Sequence, residues 1–191
     1  LICLAITPAF AGTTNCAGTI TGQYIVGNLT VPADAACRLE GVEVTGTVTV
    51  LGSLQTFGSR FDSNVNVTGG TIIISNGNGM GSPIMGNLTI TNSTGVNQIG
   101  CPNISNVING NVSFTGNSGK FYVCQATVNG RVLINNNTRI NNDWQGNDVA
   151  TLTNITTSQF LCDGNASADG SQPIVGGGNT AAKKNGQCSG L

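Results

Sequence analysis

Histidine is absent from this chain of 191 residues, and charge is scarce: seven Lys and Arg stand against eight Asp and Glu. Together they make 8% of the residues, where ordinary soluble domains carry about 25%. The lack of histidine excludes a Ser-His-Asp or Cys-His mechanism. With no C-x-x-C spacing either, it also removes the usual route to a zinc site, and no cofactor is expected. The formal net charge of −1 leaves no basic face for nucleic acid or anionic lipid, and so little repulsion favours self-association. Apolar residues at helical spacing are nearly missing, and no apolar run is long enough to span a bilayer. Disorder is the remaining objection, but 39% hydrophobic content with regularly placed Val, Ile and Leu speaks for a folded, single-domain chain.

What is present is a repeated phrase. The pattern apolar-x-Gly/Ser-x-apolar-x-apolar occurs as "IVGNLTV" from Ile25, "VTGTVTV" from Val44, "FDSNVNV" from Phe61, "IMGNLTI" from Ile84, "INGNVSF" from Ile108 and "VNGRVLI" from Val128. Successive starts lie about 20–21 residues apart on average, a spacing at which a period means stacked structural units. Within each copy apolar and polar residues alternate, so each is a strand with one buried face. One such strand per period leaves room for two more short strands and three turns. The expected fold is all-β: a parallel β-solenoid (β-helix), right-handed by the general rule for parallel crossovers.

Aligned rungs define the core. Leu29, Val48, Val65, Leu88, Val112 and Val132 form one inward column, and Val31, Val50, Val67, Ile90, Phe114 and Ile134 its neighbour. The recurrent third-position Gly, replaced once by Ser63, falls on the buried side at a tight corner. Thr30, Thr49, Asn66, Thr89 and Ser113 form an outward ladder, with Asn28, Thr47, Asn64, Asn87 and Asn111 beside it. The N-x-S/T triplets at Asn28, Asn66, Asn87 and Asn111 are what two such ladders produce anyway, so they are not read as glycosylation sites.

Residues 1–11, "LICLAITPAFA", read as the tail of a secretory signal ending in an A-x-A pattern, or else as an N-terminal apolar strand. Without Cys3, six cysteines remain, an even set that in an exported chain implies disulfides. Cys16 and Cys37, and Cys101 and Cys124, are separated by about one turn, so they are expected to pair vertically, with Cys162–Cys188 as the third bridge. Residues 12–140 are the regular turns, and 141–191 the irregular last turns and tail. Trp144, Leu152, Ile155 and Phe160 are candidates to cover the core there, with Lys183 and Lys184 guarding the edge.

Parallel β-helices include enzymes that act on polysaccharides, which need paired carboxylates or a Ca²⁺ site on one face. Here only Glu40 and Glu43 are close in the chain, and no spacing requires Arg60, Arg131 and Arg139 to meet. No catalytic, cofactor-binding or metal residue is assigned.

The rungs "VTGTVTV", "INGNVSF" and "VNGRVLI", followed by "FLCDGN" and the closing "GGGNTAAKKNGQC", resemble a set of secreted bacterial β-solenoid proteins with G-N-V/L rungs and a Cys-ended tail. In rung pattern alone the chain is also similar to bactofilins, which polymerise end to end and are cytoplasmic. The resemblance implies architecture and the idea of axial stacking. The expected function is that of a secreted structural protein whose subunits self-associate, axially, into an extracellular filament or surface layer. A carbohydrate- or ice-binding solenoid is the alternative, and an enzyme on polysaccharide the third reading.

Overall fold

A strand that alternates apolar and polar residues has one face to bury, and a chain without helical periodicity can bury it by laying strand on strand. The computed structural model of the chain, which describes residues 12–75, 81–100, 105–139 and 149–191, is a β-solenoid with no helix among the described residues. Each turn contributes to up to three sheets, and the pairings between strands are parallel. The first sheet starts at Gly12–Asn15 and passes through Gly27–Val31, Val48–Val50, Val65–Thr68, Leu88–Thr91, Val112–Thr115, Ala126–Asn135 and Thr156–Asp163 to Thr180–Gly186. The second has eight strands, from Gly18–Thr21 to Ile174–Gly177. The third is narrow: Tyr24–Ile25, Glu43–Val44 and Arg60–Phe61, continued by single bridges through Ile84 to Ile108.

Leu29, Val48, Val65, Leu88, Val112 and Val132 lie partner to partner in one file. Val31, Val50, Val67, Ile90, Phe114 and Ile134 lie in the next. All twelve are buried. The first residue of each copy makes a third file of Ile25, Val44, Phe61, Ile84, Ile108 and Val128. From the second sheet Leu39, Leu54, Ile72, Ile74, Phe121 and Leu152 close the core. The Phe114 and Phe121 rings meet there at 4.4 Å between centroids. Each such burial contributes about 1.5–3 kcal/mol, which offsets the ordering of so many Gly and Asn residues.

The files run beyond the six copies. Thr14 stacks on Leu29 at one end, and Phe160 and then Lys184 follow Val132 at the other. Leu152 and Ile155 are also fully buried near that end. Turn length departs from the regular spacing at both extremes: the turn that brings Gly12 to Gly27 is short, and the one that brings Val132 to Phe160 is long. The loops between strands absorb most of the difference, and register is kept apart from one shift between Val128 and Arg131.

The third-position Gly is explained by its neighbour one rung back. The Oδ1 atoms of Asn28, Asn64, Asn87 and Asn111 accept hydrogen bonds from the backbone N–H of Thr47, Asn87, Asn111 and Arg131, at 2.8–2.9 Å. That places each carboxamide against the next rung's Gly. A Cβ on Gly46, Gly86, Gly110 or Gly130 would fall 2.4–2.6 Å from an Asn oxygen. The one rung with Ser instead of Gly, at Ser63, follows the one rung with Thr instead of Asn, and Thr47 Oγ1 lies 3.4 Å from Ser63 Oγ.

Buried corners are held by side-chain ladders that the periodicity did not reveal. Backbone N–H groups of Ser93, Asn117, Asn137 and Asn165 donate in turn to Asn117, Asn137, Asn165 and Gln187, at 2.8–3.1 Å. The amides of Asn117, Asn137 and Asn165 donate to the carbonyls of Ile90, Phe114 and Ile134. At another corner Val42, Ser59 and Ser82 N–H donate to Ser59, Ser82 and Asn106 side chains. These bonds satisfy the buried backbone where strand pairing lapses.

Cys16–Cys37 and Cys162–Cys188 are bridged, with Cα separations of 5.5 and 5.4 Å. The expected vertical arrangement is corrected. Cys37 is in register with Gly18 and Leu54 in the second sheet, whereas Cys16 follows a strand of the first sheet and donates its N–H to Thr30. The bridge therefore ties a corner between two sheets; the cysteines are 21 apart in the chain, which exceeds the short rung from Gly12 to Gly27 beside them. Likewise Cys162 pairs in register with Gly186, and Cys188 lies just beyond. Cys124 is disulfide-bonded too; its expected partner Cys101, like residues 1–11 and Trp144, lies outside the described residues.

Candidate binding face and open edge

Glu40 and Glu43, the acids singled out for their closeness in the chain, lie on different sheets. Glu40 is paired with Arg38 at 2.6 Å on the second sheet, while Glu43 is 4.0 Å from Arg60 on the third, where Arg60 also pairs with Asp62 at 2.6 Å. These are exposed ion pairs, worth about 0–1 kcal/mol each. Arg38 also lies over the Phe57 ring, 4.1 Å from its centroid. Arg60, Arg131 and Arg139 are on different rungs: Arg60 opposite Glu43, Arg131 opposite Gln159, and Arg139 buried beside Thr138. Among the described residues no three His, Cys, Asp or Glu side chains gather to hold a metal ion. A groove between neighbouring strands runs past Thr19, Arg38, Ser53 and Gln55.

Two surfaces stand out instead. The outer side of the first sheet carries no charged side chain over five successive strands, from Gly27–Val31 to Val112–Thr115. At about 4.8 Å per rung that face is roughly 19 Å long. Its two ladders behave differently. The Asn28, Asn64, Asn87 and Asn111 carbonyl oxygens are occupied by the next rung's N–H, and Asn87 Nδ2 also donates to Asn64 Oδ1 at 3.1 Å. Thr30, Thr49, Asn66 and Thr89, each half-buried and in register on adjacent rungs, make no side-chain hydrogen bond to the described protein. Ser113, on the following rung, is 3.5 Å from Thr115.

The second surface is the N-terminal end. Gly12–Asn15, Gly18–Thr21 and Tyr24–Ile25 each begin a sheet, and among the described residues no strand pairs with their outer edges. These strands contain no Lys, Arg, Asp, Glu or Pro. Tyr24 is 63% exposed and Val26 is 40% exposed beside it. The C-terminal end is built otherwise. Lys184 occupies the core file after Phe160 and donates its ammonium to the Asn179 carbonyl at 2.9 Å and to the Leu191 carbonyl. Lys183 stands opposite Gln159, and the Cys162–Cys188 bridge pins the tail. An inward lysine and a tied-down tail are devices that stop an edge strand from recruiting another.

No known family model, curated protein or solved structure matches the chain.

Proposed function

We propose that the chain is an exported structural building block that associates with other copies of itself. The observation that carries this reading is the contrast between the two ends: one unpaired among the described residues, uncharged and bearing the exposed Tyr24, the other guarded by Lys184. Disulfides are typical of proteins that leave the reducing cytosol, which supports export. Free strand edges provide rows of unpaired N–H and C=O groups, and a tyrosine beside them is a fitting interface anchor. With one end guarded, the contact favoured is between two N-terminal ends, the same patch on both copies. Filaments or layers then need a second contact, for which the neutral face of the first sheet is available. Light scattering and negative-stain microscopy across concentration test the proposal. Thr13→Lys with Thr19→Lys, at exposed edge positions, should lower the associated fraction without altering the circular dichroism spectrum. Short monodisperse rods at every concentration and salt would refute it.

A second reading has its own observation. The row of Thr30, Thr49, Asn66 and Thr89 offers hydroxyl and amide groups without a partner among the described residues, on a charge-free plane, which suits a neutral polysaccharide. A glycan array tests it, and a thermal hysteresis assay separates sugar from ice.

A further inference from the structure

Asn-Gly is the dipeptide most prone to spontaneous deamidation, because a glycine nitrogen can reach the preceding side-chain carbon unhindered. Three such steps fall within the described residues: Asn109–Gly110, Asn129–Gly130 and Asn185–Gly186.

In the first two the fold blocks the attack. Gly110 N–H donates to the Gly86 carbonyl at 2.9 Å, and Gly130 N–H to the Gly110 carbonyl at 3.2 Å. The side chains are engaged as well: Asn129 Nδ2 donates to Asn109 Oδ1 at 2.8 Å. Close packing does not set these glycines apart, since Gly110 and Gly130 lie under an Asn oxygen and Gly186 under the Cys162 carbonyl; the engaged N–H does. Asn185–Gly186 is on the last strand of the first sheet. Gln187 N–H points inward to the Cys162 carbonyl at 2.8 Å. By the alternation of a parallel ladder, Gly186 N–H then faces the open edge. Gly186 has φ of 64°, and Asn185 is exposed and makes no side-chain hydrogen bond to the described residues.

We propose that Asn185 is a self-modifying site, converted to aspartate and isoaspartate, while Asn109 and Asn129 are held inert by rung stacking. Gly186 N gives up its proton and bonds to Asn185 Cγ, the bond from Cγ to the amide nitrogen breaks, and the departing NH2 takes up a proton and leaves as ammonia. Water then opens the cyclic imide at either carbonyl. The new carboxylate lies two residues from Lys183 on the same face of the edge strand. It offsets part of the positive charge at the guarded end. If association through strand edges is right, as proposed above, aged molecules gain a less guarded second end.

The test is peptide mapping by mass spectrometry of the full, oxidised chain held in warm, mildly alkaline buffer, alongside a reduced and denatured sample. In the folded protein, conversion at Asn185 should outpace Asn109 and Asn129 by roughly tenfold or more, since the latter react only through local opening. In the denatured sample the three rates should converge. Equal rates at all three in the folded protein, or an intact Asn185 that reacts only when denatured, would overturn the assignment. Light scattering on Asn185→Asp reads the consequence separately: association equal to the parent's removes the edge effect and leaves the chemistry standing.

Discussion

Gly110→Ser is the sharpest test of how the rungs are coupled. Gly110 does not have a positive φ, so its backbone suits any residue and the cost of a side chain comes from packing alone. A Cβ there would fall 2.4 Å from Asn87 Oδ1 and 2.7 Å from the Gly86 carbonyl. Asn87 must move, giving up the 2.8 Å bond it accepts from Asn111 N–H, a loss of about 1 kcal/mol. Overpacking adds about 1–3 kcal/mol. The sum, roughly 2–4 kcal/mol, should lower Tm by about 5–15 °C in a chain of this size. The protein also contains its own remedy, since Thr47 below Ser63 is a natural version of the swapped pair. Asn87→Thr combined with Gly110→Ser should therefore recover at least half of the serine's cost, a coupling of about 1–2 kcal/mol. Urea and thermal denaturation followed by circular dichroism on the two single variants and the double give the cycle. A Gly110→Ser variant as stable as the parent, or single effects that add within about 0.5 kcal/mol, would refute steric pairing between rungs.

Other outcomes follow from the same contacts. Asn137→Ala removes a buried amide that serves Asn117, Phe114 and Asn165; leaving two or more buried groups unpaired should cost about 2–5 kcal/mol in urea denaturation. Cys162→Ala with Cys188→Ala removes a bridge between positions 26 apart in the chain and should cost about 3 kcal/mol, with faster hydrogen exchange in Thr180–Gly186 than in Leu88–Thr91. Lys184→Val restores an apolar residue to the core file and removes the edge guard, so light scattering should show more association than in the parent. Neutralising Arg38 or Arg60 should change stability by under about 1 kcal/mol, because their ion pairs are exposed.

The inward columns were legible because buried strand positions repeat with period two inside a longer period. Leu29 to Val132 could be aligned without any structure, and their register is kept in the fold. The ends were less legible. "TTSQFLCD" at Thr156–Asp163 continues the ladder, but the long turn from Val132 to Phe160 and a register shift between Val128 and Arg131 hide it from a search at fixed spacing. Disulfide partners could be picked by separation, yet their geometry could not, because Cys16 lies in the corner after a first-sheet strand while Cys37 is in the second sheet. The corner ladder escaped because asparagine in a polar, Gly-rich chain looks like loop filler. Its signature is a left-handed residue followed by the ladder residue: Asn92-Ser93, Gly116-Asn117, Asn136-Asn137, Gly164-Asn165 and Gly186-Gln187, with φ of 55–66° at the first of each.

The left-handed positions also obey the rule seen at the strand starts. Stacked on one another they read Asn92, Gly116, Asn136 and Gly164, while Gly186 falls opposite Cys162. A Cβ on Gly116 would meet Asn92 Oδ1 at 3.1 Å, and one on Gly164 would meet Asn136 Oδ1 at 2.3 Å. Gly116 has no side chain to obstruct the next rung, so Asn136 can stand above it. The same relation holds at another corner, where Gly178 follows Asn154 with 2.1 Å to its oxygen. In this solenoid the residue allowed at a site thus depends on the residue one turn earlier, and glycine is placed where an asparagine below needs the space. At Gly46, Gly86, Gly110, Gly116, Gly130, Gly164 and Gly178 the glycine and the asparagine below it are then one structural requirement, expressed in pairs along the axis.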